Sequence, residues 1–541
     1  MTKAATPKTQ RAVQLVGPDQ LKVNEAKEIF EPGEHQVLCR VEVCGLCFSD
    51  LKLLKQFSGH ARKSEIKQGV DPLALGEMPN YVPGVKPVVP GHETVVRIAR
   101  VGPKVVRYKV GERYLVQTDY RWLPTANSNA AFGYNFEGAL QEFVLLDERV
   151  ITAPDGESML IPAPDDLGAS AIALVEPWAC VEDAYRDCQR RVLKDGGRAL
   201  VVGEAPVEPG RIRGLAGKPA QVAFTTADRL AEHPDGAHDD VIYFGANPQT
   251  AEKLWAKAAA GGLVILVQDG AKFGRPVVTA VGRVHYGGIR IAGTAGGDPA
   301  AALSAIPETA EIRRGDKINI VGAAGPMGTM HVIRDLCQGV PGITVYAGDM
   351  NDDRLAALRR LAEPIASQNK ASLSVYQSQR EKPKCAFDYV VLMAPVPALV
   401  AEAVRDAAPR AIINIFAGIP ANVTAEIDLD LYISMQAYFV GTSGSTLDDM
   451  KAVLKKVTDR QLDTNLSVAA ISGLEGAIDG IRAVEKNLMP GKIVVYPFAK
   501  GLKLTALTDM ALLHPAVARA LSGGRWNLEA EAALKKEYPA Q

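Results

Sequence analysis

INIVGAAGPMG, residues 318–328, is the stretch on which the reading of this chain turns. A β-branched run, Ile318 to Val321, stops at Gly322, and Gly325 and Gly328 lead into a helical stretch, Thr329 to Gln338. Strand, glycine turn and helix in that order form a cradle for a pyrophosphate. Gly325 lets the backbone approach the phosphates, Gly328 lets the helix pack against the sheet, and the first helical turn offers unpaired N–H groups. The next strand, Ile343 to Tyr346, leads to Asp349. An acid about 20 residues beyond the last glycine reads a ribose 2′-hydroxyl, and Asp349 stands at that distance from Gly328, which favours NAD over NADP. The cofactor set is therefore Gly322, Gly325, Pro326, Met327, Gly328, Asp349 and Arg354. Ala323 stands where the usual pattern opens with glycine. The competing reading is a glycine turn that binds nothing.

Working outward, the same architecture occurs twice. Asp240-Val-Ile-Tyr-Phe, a helix over 249–259 and a strand over 263–267 match Asp388-Tyr-Val-Val-Leu, 399–407 and 411–416 at a constant offset of 148. Gly293-Thr294-Ala295-Gly296 falls on Gly441-Thr442-Ser443-Gly444 at that offset. A fixed period over such a length marks an internal duplication. Upstream, Val202-Gly203 matches Val321-Gly322 at an offset of only 119, so the first copy is trimmed between the two matches. Its turn reads Gly203-Glu-Ala-Pro-Val-Glu-Pro, with acid and prolines where phosphate would lie. The first copy is read as degenerate, a structural or subunit-contact module.

The bulk numbers set bounds. At about 150 residues per domain, 541 residues suggest three or four domains. Lys plus Arg number 61 and Asp plus Glu 62, which argues against a dedicated nucleic-acid binder. No run reaches a membrane span, and MTKAATPKTQRAVQ has no apolar core, so no secretory signal is read. Seven cysteines are too few for a disulfide scaffold, and a reducing cytoplasm is expected.

Ahead of the duplication, residues 11–160 read as short strands (37–43, 95–101, 113–117, 140–146), with 52–90 as a loop or excursion. Helical spacing follows over 169–191. Three motifs lie here: Cys44-Gly-Leu-Cys47-Phe-Ser49-Asp50, Pro90-Gly91-His92-Glu93 and Val175-Glu176-Pro177. Thiolate, imidazole and carboxylate are all zinc ligands, and ligands from separate segments suit an open catalytic site better than a zinc ribbon. Each residue also has a plainer reading: Cys47 as a buried thiol, His92 as a core histidine, Glu176 as a helix cap.

Together these motifs, with Ala12-Val-Gln-Leu-Val-Gly-Pro and Gly491-Lys-Ile-Val-Val, resemble the zinc-dependent medium-chain alcohol dehydrogenases. The nearest branch is that of sorbitol dehydrogenase, threonine dehydrogenase and the sugar-phosphate reductases, and the likeness covers about 11–190 and 315–500. The resemblance implies an α/β chain: a GroES-like β-rich zinc catalytic domain at 1–190, a degenerate Rossmann-like insertion at 195–310, an NAD-binding doubly wound Rossmann domain at 315–470, and a return with a helical tail at 471–541. It implies one catalytic zinc on Cys47, His92, Glu93 and Glu176, with Ser49 relaying the substrate proton and Asp50 orienting His92. Lys52 stands where the family's relay histidine is expected, so Ser49, Glu93 and Lys52 form the catalytic set. No cysteine falls within 112–140, so the family's structural zinc lobe is absent. The implied reaction passes hydride between a polyol, sugar or sugar phosphate and NAD(H), NADP(H) being second choice, with a homo-oligomer possible. Phe48, Trp122, Phe132, Tyr134 and Phe136 are candidate pocket walls. The rival readings are a zinc-free quinone-oxidoreductase-like reductase and a non-catalytic scaffold with a vestigial site.

Overall fold

The computed structural model describes residues 7–442 and 444–539, so the extreme N-terminus, Ser443 of the repeated Gly-Thr-Ser-Gly run and the last two residues lie outside the account. The chain forms two compact units. One comprises the chain up to Ala179 and from Thr446 onward, and the other is Cys180–Ser445. The boundaries expected from sequence lie at 190 and 471. The first moves because Glu182 and Tyr185 find their partners, Arg334, His331 and Asp335, inside the second unit, and the second boundary because Thr464 and Asn465 bond Ala171 and Ser170 of the first unit. Among the described residues, no helix is long and apolar enough to cross a membrane.

The first unit is built on the strand Gln36–Gly45, whose apolar residues are buried. It pairs antiparallel with Glu93–Val101 along one edge. On the other edge its start takes Phe143–Asp147 and its end takes Lys492–Val495, which returns from the far end of the chain. The stretch 52–90, read as a loop, opens instead inside a helix, Phe48–Gln56, followed by two 3₁₀ turns and the short helix Pro72–Gly76. Leu51, Leu53 and Leu54 are buried there, and so short a helix shows too few turns for its spacing to be read. The helical run 169–191 divides into Ala169–Ala173 and Val175–Arg186.

The second unit holds two parallel sheets, the α/β pattern of Rossmann units. The first runs, in spatial order, Gln221–Thr226, Arg198–Gly203, His238–Phe244, Ala258–Val267, Arg290–Thr294. The second runs Ser372–Gln377, Thr344–Asp349, Lys317–Val321, Phe387–Leu392, Ala407–Ile415, Tyr438–Val440. Strand register refines the repeat. Ala199 faces Asp240 as Ile318 faces Tyr389, so the true offset there is 149, returning to 148 where Arg290 corresponds to Tyr438. The first copy is accordingly shorter by one residue more than the sequence match implies. The trimming is visible as structure: the helix Pro326–Cys337 is replaced by a turn, Pro209–Ile212; the helix Asp352–Gln368 by a turn, Ala227–Glu232; and Ser372–Gln377 has no counterpart.

Candidate active site

Strand register brings the motifs of the first unit together. Gly45 pairs with Glu93 across the two central strands, so the chain leading to Cys47 lies beside His92-Glu93. A Cβ on Gly45 would sit 2.2 Å from Glu93 Oε2, so any side chain here would push that carboxylate aside. Cys47 is the N-cap of the helix Phe48–Gln56 and donates its backbone N–H to Asp50 Oδ2 at 3.0 Å. The other oxygen of Asp50 lies 3.1 Å from His92 Nδ1. One buried carboxylate thus fixes the turn carrying the thiol and the plane of the imidazole. Nδ1 is turned to Asp50, so Nε2 is the nitrogen that faces the rest of the group, and Ser49 Oγ lies 3.1 Å from it.

Cys47, His92 and Glu93 each offer a ligand atom, and these atoms lie within 4.8 Å of one another. Glu93 is fully buried; Oε1 takes the Lys492 ammonium, while Oε2 has no partner. An orphaned carboxylate oxygen beside a thiol and an imidazole fits a zinc ion, which these three residues would hold. Glu176 is also buried but stands outside this close group. Burial pushes its carboxyl up to about 7 against the pull of His92, with the Glu93 charge adding to the rise. For His92, burial opposes the charged form, but Asp50 together with Tyr134 and Cys47 outweighs it and holds the imidazole well above its usual value. Lys492 behaves likewise: burial lowers it, and Glu93 then Cys47 raise it above the ordinary lysine range.

Beyond the group, Tyr134 lies with its ring 5.8 Å from that of His92 and its hydroxyl hydrogen-bonded to Ser49. Arg62, ion-paired with Asp119, covers the same ring at 5.5 Å. His60 meets Tyr134 at 5.1 Å, and its Nδ1 accepts from Arg62 N–H. Burial first, then the Arg62 and Lys52 charges, push this imidazole down to about 4. Lys52 itself is exposed on the helix Phe48–Gln56. Of the candidate walls, Phe132 and Phe136 are core residues, Phe48 is 64% exposed and Trp122 packs on Tyr120, so Tyr134 is the one that reaches the close group.

In the second unit the glycine loop has the expected frame. Gly325 caps the helix Pro326–Cys337, with Pro326 and Met327 in its first turn. A Cβ on Gly328 would lie 2.3 Å from Gly322 O and 2.8 Å from Ala323 Cα, so helix and turn touch backbone to backbone. Asp349 ends the strand Thr344–Asp349; Oδ2 accepts from Ala324 N–H, and Oδ1 accepts from Met350 and Asn351. Arg354 sits in the first turn of the next helix, its N–H bonded to Asn351 Oδ1. The first copy differs at each point. Glu204 takes the Tyr243 hydroxyl, and no helix opens behind it until the 3₁₀ turn Pro209–Ile212.

Residues 33–155 match the alcohol dehydrogenase GroES-like domain. Over that stretch the chain is similar to the alcohol dehydrogenases, and the curated proteins it matches include polyol dehydrogenases and a sugar-phosphate reductase. It is 24% identical to sorbitol dehydrogenase of Bacillus subtilis over 335 residues, 58% of this chain and 76% of that protein. It is 28% identical to L-sorbose 1-phosphate reductase of Klebsiella pneumoniae over 223 residues, 40% of this chain and 53% of that one. The matched stretch spans little more than half the length of some curated relatives. Among solved structures, 2R,3R-butanediol dehydrogenase from Bacillus subtilis aligns over 90% of this chain and all of its own, at 16% identity and a TM-score of 0.53, a likeness of fold.

Against that background, two features of the chain escaped sequence reading. Lys492 lies in the closing Gly-Lys-Ile-Val-Val motif, but only the pairing of Val494 with Gly45 puts its ammonium on Glu93 and on Leu46 O. The tail proves to be a brace. Glu531, on the helix Leu528–Glu537, accepts from Ala169 and Ser170 N–H at 3.0 and 3.1 Å and so caps the helix just before Glu176.

Proposed function

We propose that the chain is a zinc-dependent oxidoreductase passing hydride between a secondary alcohol (a polyol, sugar or sugar phosphate) and NAD(H). The observation that supports it most is the convergence of Cys47, His92 and Glu93 on one point, with Asp50 locking two of them. When bound, zinc supplies Lewis-acid polarisation of the substrate oxygen. The chain's own residues do the rest. Asp50 keeps His92 in the tautomer whose Nε2 can ligate, and Lys492 balances the charge of Glu93. Glu176 would be a further carboxylate beside the bound ion. Ser49 accepts the hydroxyl proton and passes it to Tyr134, with His60 and Lys52 beyond. Gly325, Gly328 and the helix N-terminus carry the pyrophosphate, Asp349 reads the ribose hydroxyl, and the nicotinamide carries the hydride. A sorbitol dehydrogenase and a sorbose-phosphate reductase among the relatives support this substrate class.

The test is metal analysis of protein purified without a metal-affinity step, before any substrate is chosen. About one zinc per chain that disappears in Cys47→Ala, with NAD reduction across a polyol and sugar-phosphate panel disappearing alongside, is expected. Well-folded protein without zinc removes the proposal.

A further inference from the structure

The two α/β copies meet in a way that a duplicated sequence does not by itself require. The strand Val277–Thr279 of the first copy pairs antiparallel with Ala425–Ile427 of the second. The partners are Val277 with Ile427, Val278 with Glu426 and Thr279 with Ala425. Positions 278 and 426 differ by the repeat offset of 148, so a residue faces its own copy and the flanking pairs are exchanged about it. Elsewhere the exchange recurs. A Cβ on Gly293 would meet Ile433 Cγ1 at 2.5 Å, and one on Gly441 would meet His285 Cα at 3.1 Å. Gly441 is the copy of Gly293, and Ile433 the copy of His285, again at 148. The edge strands Arg290–Thr294 and Tyr438–Val440 lie side by side, and one apolar core runs through both sheets, from Val264 and Ile291 to Ile413 and Phe439.

Contact of i with j and of j with i is the mark of a two-fold, isologous interface, the kind that joins identical subunits. Here both halves belong to one chain. We infer that the first α/β copy is a built-in partner: it occupies, within the chain, the face by which a second copy of this chain would dock on the cofactor-loop copy. This explains an otherwise odd pattern of retention. The first copy has lost the phosphate turn and two helices, yet keeps the edge strand, the pairing strand and the helix Val281–Tyr286. That helix still serves the other copy, since His285 Nδ1 lies 3.2 Å from Ile415 O at the carboxyl end of a cofactor-sheet strand. What was kept is the interface, and what was lost is the binding site.

Cysteine cross-linking of the full-length chain tests this, because the symmetry makes single and double variants behave oppositely. Val278→Cys with Glu426→Cys places two thiols directly across the strand pair. Mild oxidation is expected to close a disulfide within one chain, leaving the denatured, non-reduced mass at 57.7 kDa with faster migration. If chains instead paired like with like through this face, Val278→Cys alone would bring residue 278 opposite its twin, as would Glu426→Cys alone. A covalent dimer in either single variant, above the unsubstituted protein oxidised alongside, overturns the inference. So does a double variant that cross-links between chains or not at all. Retention of the ordinary melting temperature by the reduced variants shows that the substitutions left the fold in place.

Discussion

The two α/β copies share the order of five strands and one core, yet part company at the turn after the first strand. After Lys317–Val321 the chain enters a glycine turn and a twelve-residue helix; after Arg198–Gly203 it enters Glu204, prolines and a four-residue 3₁₀ turn. In the second copy Asp349 ties the turn from the neighbouring strand by accepting from Ala324 N–H. In the first, Glu204 is tied inward by Tyr243. The acid of one copy stands in the turn itself, whereas the acid of the other stands on the next strand and holds the turn from outside. The proposed division between a binding copy and a scaffolding copy can therefore be tested by substitutions in each alone.

Gly328→Val carries the largest expected effect. The added Cβ meets backbone at 2.3 and 2.8 Å, which no rotamer relieves, so turn and helix must part. NADH affinity, read by fluorescence titration, should fall about 100-fold, roughly 2.7 kcal/mol. Glu204→Gln in the first copy should leave it unchanged. Equal losses in both would mean that the two loops share the ligand.

The next contrast is pH. The helix Pro326–Cys337, which has no counterpart in the first copy, buries His331 beneath the Tyr185 hydroxyl at 2.8 Å. Burial, helped by Arg334, pushes this imidazole down to about 3. The unfolded chain takes up a proton near pH 6.5 that the native state refuses, so this residue costs stability as pH falls from about 6.5 towards 3, by up to ~1.4 kcal/mol per pH unit. Asp335, which burial pushes up to about 7, acts in the opposite direction, since there the native state holds the proton longer. Urea midpoints of wild type and His331→Gln between pH 7.5 and 4 separate the two. The wild type should lose ground to the variant as pH falls, and a constant difference would show that His331 titrates normally.

Asp349→Asn is a smaller and more selective change. The amide oxygen can still accept from Met350 and Asn351, but the NH2 cannot accept from Ala324, so one bond to the turn goes together with the charge that favours a ribose hydroxyl over a 2′-phosphate. The NAD-to-NADP preference in kcat/KM should drop about 10-fold, roughly 1.4 kcal/mol. An unchanged ratio would place the ribose elsewhere.

What was legible in the sequence follows from this contrast. Motifs whose partners lie nearby in sequence, such as the glycine turn and Asp349, could be read directly. So could the duplication, because a repeat is a property of the string. The candidate metal group was legible only as separate motifs; that Gly45 faces Glu93, and that Asp50 holds both Cys47 and His92, are facts of register. Lys492 and Glu531 were invisible in their roles, since each acts on residues hundreds of positions away through strand or helix packing. The small error in the repeat offset has the same origin: a strand bend at Gly261 and Arg410, both at positive φ, keeps pairing in step where sequence matching slips.

The smallest effect tests the scaffold half of the comparison. Tyr432 is buried where the edge strands of the two copies approach, and its hydroxyl donates to Ile291 O at 2.8 Å while accepting from Phe439 N–H at 3.1 Å. One oxygen therefore satisfies a backbone group on each edge strand, where the strands do not bond to each other. Its counterpart in the first copy is Val284, so the symmetry is broken here by a polar wedge supplied from one side only. Tyr432→Phe keeps the ring and its contact with Phe439 but leaves both backbone groups buried and unpaired, at a cost of about 1–2 kcal/mol. Thermal unfolding should shift down by a few degrees. NADH affinity should not move, because the hydroxyl touches the joint between the copies and no part of the phosphate turn. If affinity fell with stability, the joint and the turn would be one cooperative element, and the division of labour between the copies would fail.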